Sequence, residues 1–350
     1  ADAGGAIHAV LGLVEPQSSG LAGGAFLLHY SAESRTATAY EGRIEAPLGV
    51  EPSMLLGEDG APMDYLEASG TGRVFGVPGV VAMVARAHRE HGELPWSELF
   101  DTAIQLASDG IEVSRRMAGG LELAAAVGAS NDFIELYSNS DGKLLREGDR
   151  FVNHPYAGTL RAVADDWRSF YTGSIAESIV EVVAREPMPG VLTVEDLESY
   201  QAHVHEAICR PYREWTVCGP PPPTSTVTAL SILGQLESFD LAAEPATPAG
   251  WHLFVEASQR AYADRELYLA DDRFTPVPVE KLLDPAYLAR RAGTIDPEMA
   301  SIDVEPGLID GFPRTVGTSP EPGGTSHFVV ADAQGNVVSM STSVGFVSGT

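Results

Sequence analysis

The residues whose types and order could do chemistry lie near the end of the chain, at Gly323-Gly324-Thr325-Ser326-His327. Two glycines open backbone conformations closed to other residues, so the threonine behind them can sit on a peptide bond held in an unusual geometry. If that bond breaks, Thr325 becomes a new N-terminus. Its hydroxyl, a poor nucleophile by itself, then has the α-amine of the same residue as its base. A reference pKa of roughly 7.7 to 8.0 suits that amine to moving protons near neutral pH. Taken alone, the pattern also fits a plain loop entering a strand. A second candidate is Arg43, set between Glu41 and Glu45. Its planar fork could grip a substrate carboxylate, and the competing local reading is a structural ion pair with either neighbouring acid.

The elements that must position these groups are legible in part. Phe328 to Ala331 and Val337 to Val344 read as strands joined through the turn formers Asp332 to Asn336, a hairpin entered through the glycines. Gly23-Gly24 leads into a strand at Ala25 to Tyr30, and Thr36 to Tyr40 pairs with it. Glycines ahead of a strand are in the wrong order for a dinucleotide site. Helices are expected over Ala6–Val14, Val80–His91, Ser97–Ala107, Ser114–Ala126, Tyr156–Trp167, Ile175–Arg185, Val227–Leu236 and Trp251–Tyr268. On the last of these Glu256, Arg260 and Asp264 are expected as outer-face ion pairs, and His88 and His91 as solvated surface residues. Residues 127 to 155 read as loop, His205–Arg210 and Trp215–Gly219 as short strands, and 302 to 324 as a linker delivering the chain to Thr325.

Composition narrows the function. A net charge of −27, with 49 acidic against 22 basic residues, argues against nucleic acid as a partner. No run of apolar residues is long enough for a membrane span, and the first residues lack the basic and apolar segments of a signal peptide, as if the true beginning were missing. The nine histidines are scattered, with no ligand pair at metal-site spacing, so neither metal nor cofactor is expected. Cys209 and Cys218 flank an Arg-Pro-Tyr-Arg turn and could pair across a hairpin or remain as two core thiols.

In order along the chain, Glu15-Pro16-Gln17-Ser18-Ser19-Gly20 with Gly23-Gly24, then Gly42-Arg43-Ile44-Glu45-Ala46-Pro47, Val77-Pro78-Gly79 and Leu94-Pro95-Trp96 resemble the γ-glutamyltranspeptidase family and its cephalosporin and glutaryl acylase relatives. Phe170-Tyr171-Thr172-Gly173, Pro211-Tyr212-Arg213, Ala261-Tyr262-Ala263-Asp264-Arg265 and Thr325-Ser326-His327 continue the match over nearly the whole chain. The resemblance implies an α+β, four-layer αββα N-terminal-nucleophile hydrolase fold. Residues 1–324 would be the large (α) subunit-like region and 325–350 the start of the small (β) subunit, which is its partner in one precursor. It also implies self-cleavage between Gly324 and Thr325, attack by Thr325 on γ-glutamyl amides such as glutathione, Arg43 on the glutamyl α-carboxylate, and Ser343 assisting the nucleophile. A periplasmic or extracellular location is the family expectation.

Three departures shape the alternatives. Gly345 stands where transpeptidases carry Asn or Glu for the headgroup, Pro221-Pro222-Pro223-Thr224-Ser225-Thr226-Val227 has lost two family glycines, and only Thr325 to Thr350 represent the small subunit. An acylase for glutaryl or cephalosporin side chains, or a catalytically silent homologue kept for binding or assembly, are the competing expectations.

Overall fold

The computed structural model describes residues 1–57, 59–185, 188–241, 247–312 and 324–345. In chain order the elements are α1 (Asp2–Val14), β1 (Gly24–Ser31), β2 (Thr36–Gly42), α2 (Tyr65–Ser69), α3 (Val80–His91), α4 (Asp101–Asp109), β3 (Ile111–Glu112), α5 (Arg115–Ala126), α6 (Asn131–Leu136), β4 (Arg150–Phe151) and α7 (His154–Asp165). They continue with α8 (Gly173–Val183), α9 (Val194–Ser199), β5 (His203–Glu206), β6 (Ile208–Tyr212), β7 (Trp215–Gly219), α10 (Thr226–Leu236), α11 (Pro248–Tyr268), α12 (Val279–Leu282), α13 (Pro285–Ala292), β8 (Thr325–Ala331) and β9 (Val337–Ser343). The α+β expectation holds. Residues 127 to 155, expected as loop, contain α6 and β4, and the strand expected over His205–Arg210 is two strands that break at Ala207.

The chain forms two compact units, Ala1–Thr36 with Tyr40–Val204 and Pro322–Thr350, and Ala37–Ala39 with His205–Glu321. In the first, β2, β1, β9 and β8 are successive neighbours in the main sheet. Strand alternation sends Leu27 and its cross-strand partner Met340 into the core, where they meet Tyr40, Val80 and Met83. Each such aliphatic side chain removed from water contributes about 2 kcal/mol. Helix α3 begins behind Gly79 and ends at Gly92; its apolar run Val80 to Val84 is wholly buried. Helix α9 starts at a capping box, with Thr193 as the cap and Asp196 closing it.

His88 and His91 are not solvated as expected. The His91 ring stacks on His29 with centroids 3.8 Å apart and shares a 2.6 Å hydrogen bond with Tyr40, while His88 lies edge-on to Trp96 and 3.5 Å from Asp2. A third histidine, His8 on α1, is 3% exposed, and neither ring nitrogen meets a partner in hydrogen-bond geometry. Burial pushes its pKa down to about 4 from the ordinary 6.5, the nearby Gly20 backbone offsetting only part of this. Between those values the unfolded chain binds the extra proton, so stability rises with pH through that window. Acidification from about pH 7 to pH 4 is therefore expected to cost about 3 kcal/mol through His8 alone. Denaturant midpoints across the window measure it, and His8→Leu should flatten that share of the slope.

In the second unit β6 and β7 form a hairpin in which Cys209 lies opposite Cys218, and the two are joined as a disulfide, so the paired alternative holds. Helix α11 corrects the outer-face expectation: Glu256, Arg260 and Asp264 are all buried. Glu256 takes Arg260 at 2.7 Å and the Ser301 backbone N–H at 2.8 Å, and Asp264 takes Arg291 at 3.0 Å and the Gly307 N–H at 2.7 Å. Residues 301 to 309 are thus pinned to the helix and do not form a free linker; 313 to 323 lie outside the described residues.

Candidate active site

The hairpin places the candidate residues by register. Antiparallel pairing of β8 with β9 sets Thr325 opposite Ser343, and β9 with β1 sets Ser343 opposite Gly24. Directly paired residues share a face, so the Thr325 and Ser343 side chains emerge together at one end of the sheet. Thr325 is exposed and Ser343 half-buried.

Ser343 is held on both sides. Its hydroxyl donates to the carbonyl of Gly324 at 2.8 Å and accepts the N–H of Gly345 at 3.1 Å. The group it touches is therefore the carbonyl of the Gly324–Thr325 peptide bond. A donor on that oxygen favours charge developing there when the carbon is attacked. Both flanking glycines are required by conformation. Gly324 has φ +130° and Gly345 φ +87°, backbone that side-chain-bearing residues rarely adopt. A Cβ on Gly324 would also lie 3.1 Å from the Gly345 carbonyl oxygen and 3.4 Å from that of Gln17. Gly23, at the turn into β1, is packed so tightly that a Cβ there would come within 2.4 Å of the Ser343 carbonyl oxygen.

Arg43 arrives at the same end of the sheet. It follows β2, whose last residue Gly42 lies against Gly24 across the strands. Three strand spacings of about 4.8 Å separate β2 from β8, so the Arg43 backbone lies on the order of 14 Å from Thr325. The backbone of this segment is fixed. Tyr200 donates its hydroxyl to the Arg43 carbonyl at 2.7 Å, Glu45 and Val77 exchange backbone hydrogen bonds, and the Leu48 N–H reaches Asp196 at 2.9 Å. Burial works against the Asp196 charge, yet the N–H of Leu48 and the hydroxyl and N–H of Thr193 hold its carboxyl below the usual range. The ion pair of Arg43 with Glu41 or Glu45 is not formed. Glu41 is buried and Glu45 takes His203 at 3.0 Å, while the exposed Arg43 guanidinium has no hydrogen bond or ion pair among the described residues.

Two features were not read from the sequence. One is the Gly345 N–H, a main-chain donor that no side-chain pattern signals. The other is His327, whose Nδ1 lies 2.8 Å from the Ser341 hydroxyl on the same face as Thr325; the alternation of Ser339, Ser341 and Ser343 opposite it was the available signal. Among the described residues no three His, Cys, Asp or Glu are grouped to hold a metal, and no helix is long and apolar enough to cross a membrane.

The family model described as gamma-glutamyltranspeptidase matches residues 1–350. The chain is 29% identical over 366 residues to a glutathione hydrolase proenzyme of Bacillus subtilis (strain 168), covering 100% of this chain and 61% of that relative. It thus spans about three fifths of the length of the curated relatives it matches. Among solved structures, Helicobacter pylori gamma-glutamyltranspeptidase is similar with a TM-score of 0.83 and 30% identity, over 89% of this chain and 90% of that one. Cephalosporin acylase from Bacillus halodurans has a TM-score of 0.81 and 25% identity, over 99% of this chain and 61% of that one. With a match running from the first residue to the last, the chain belongs to the gamma-glutamyltranspeptidase family.

Proposed function

We propose that the chain is the large-subunit region, residues 1–324, and the start of the small subunit, residues 325–350, of a γ-glutamyltranspeptidase-like amidohydrolase that cuts itself before Thr325. The observation that carries this reading is the Ser343 hydroxyl on the Gly324 carbonyl, one peptide bond from the Thr325 hydroxyl. Attack of Thr325 Oγ on that carbonyl carbon, with breakage of the carbon's bond to the Thr325 nitrogen, gives an ester and a free Thr325 amine, and water then releases a Gly324 carboxylate and restores the Thr325 hydroxyl. The same hydroxyl next attacks the amide carbon of a γ-glutamyl compound such as glutathione. An acyl-enzyme forms, the amine leaves, and water or a second amine takes the acyl group. Arg43 supplies the cation for the substrate carboxylate.

Intact mass and N-terminal sequence after incubation at neutral pH test the cleavage: a fragment beginning at Thr325 supports it, and a single chain at all times refutes it. Gly345, which has no side chain to offer a headgroup amine, favours a glutaryl or cephalosporin-type acylase as the second reading, in keeping with the similarity to a cephalosporin acylase. Turnover of a γ-glutamyl anilide against a glutaryl anilide separates the two. In either case Arg43→Ala is expected to raise KM by about 10- to 100-fold, the worth of one charge-assisted contact, with a smaller change in kcat. The Cys209–Cys218 disulfide supports an oxidising compartment, periplasmic or extracellular.

A further inference from the structure

Self-cleavage raises a proton problem that the finished enzyme does not have. Before the bond breaks, the nitrogen of Thr325 is a peptide nitrogen and cannot serve as a base, so the hydroxyl proton must go elsewhere. Ser343 does not take it, since its proton is on the Gly324 carbonyl and it already accepts from Gly345.

The face that carries Thr325 is set by register: Thr325, His327 and Val329 on β8 lie opposite Ser343, Ser341 and Ser339 on β9. Across these two strands His327 is the only ionisable side chain on that face. It is held by two hydroxyls, Ser341 Oγ at 2.8 Å from Nδ1 and Ser339 Oγ at 3.5 Å from Nε2. In the Nε2–H tautomer, which a proton acceptor at Nδ1 requires, the Ser341 hydroxyl donates to the Nδ1 lone pair and the ring N–H faces Ser339. Ser341 is in turn the diagonal neighbour of Thr325 on this face, at the roughly 7 to 8 Å spacing of such pairs. Of the surrounding charged and titratable groups, β9 contributes none. On β1, Tyr30 lies at the far end of this face and His29 on the other, and Asp332 in the connecting turn is engaged with Asn336.

We propose that His327, acting through the Ser341 hydroxyl, accepts the Thr325 proton during self-cleavage, a duty that ends once Thr325 has its own amine. The proposal rests on the self-cleavage reading above. In the step itself the proton passes from Thr325 through water and Ser341 to Nδ1 as the Thr325 oxygen bonds to the Gly324 carbon, with the Ser343 hydroxyl on the oxyanion. The Gly324–Thr325 C–N bond then breaks and the nitrogen recovers the proton from the imidazolium by the same route. Hydrolysis of the ester completes a net addition of one water across the peptide bond.

The test is the rate of appearance of the Thr325 fragment, by intact mass, from freshly purified chain between about pH 5 and pH 9. The parent chain is expected to cleave more slowly on the acid side, as an imidazole takes up its proton. His327→Gln should slow cleavage about 100-fold or more and remove that acid limb, since a positioned base is worth roughly 10²- to 10⁴-fold. Ser341→Ala should slow it about tenfold or more with the acid limb kept. Added imidazole should restore cleavage to His327→Ala, an outcome that a merely structural role for the ring does not produce. Cleavage of His327→Gln at the parent rate and pH dependence, or no rescue by imidazole, overturns the assignment while leaving self-cleavage intact. A parent chain that never cleaves at any pH overturns both.

Discussion

A Thr325→Ala chain is expected to remain one polypeptide of 37.1 kDa under conditions in which the parent chain is cut, and to lose amide turnover by on the order of 10⁴-fold or more. Both losses have one cause. Alanine keeps the backbone of β8 and its pairing with β9, so the Ser343 hydroxyl still meets the Gly324 carbonyl. What disappears is the oxygen that must bond to that carbon, and with it the only route to a free α-amine at this position. Since a missing nucleophile and a missing base coincide, the effect is a near-complete loss rather than a weakening. Thr325→Ser separates geometry from chemistry. It keeps a hydroxyl on the same backbone and is expected to cleave, at a rate lowered by the extra rotamer freedom that loss of the methyl gives. Time courses of intact mass and anilide release measure the two losses independently. Cleavage surviving in Thr325→Ala would sink the mechanism.

The hairpin that carries the site was legible because its signals are local. Strand alternation, the Asp332 to Asn336 turn and the glycines at 323 and 324 each act within a few residues. Contacts that depend on register were not. The His327–Ser341 bond requires knowing that these two residues face one another, and the hold on Ser343 requires a main-chain N–H in a positive-φ turn. The charge pattern of α11 misled for a different reason. Glu256, Arg260 and Asp264 recur every four residues and so occupy one stripe, which reads as a solvated face unless each charge has a distant partner. Here the partners are Ser301, Thr294, Arg291 and Gly307, 34 to 45 residues away for Ser301, Thr294 and Gly307, and they make the stripe an interior one. Arg43 is the converse case. Glu41 and Glu45 flank it in sequence, yet Glu41 is drawn inward and Glu45 is turned to His203, leaving the guanidinium for other use.

That interior stripe carries the largest expected effect on stability. Asp264 is 2% exposed and gathers four donors: the Tyr287 hydroxyl at 2.9 Å, Nε and Nη2 of Arg291 at 3.2 and 3.0 Å, and the Gly307 N–H at 2.7 Å. Its removal leaves the Arg291 guanidinium, itself 8% exposed, without a counter-charge. Breaking a buried pair in this way costs about 3 to 5 kcal/mol, more than the pair contributes over an apolar replacement, because the surviving charge is stranded. Asp264→Ala is therefore expected to lower the melting temperature of the second unit by roughly 10 to 20 °C. Arg291→Met made in the same chain should recover part of the loss, since it takes away the stranded charge and keeps most of the volume. An exposed pair gives the contrast. Arg185 and Asp132 are joined at the surface, and Arg185→Ala should leave the melting temperature nearly unchanged. Scanning calorimetry on the three variants decides the matter, and a double variant no more stable than Asp264→Ala would place the cost in lost hydrogen bonds to Gly307 and Tyr287 instead of in the charge.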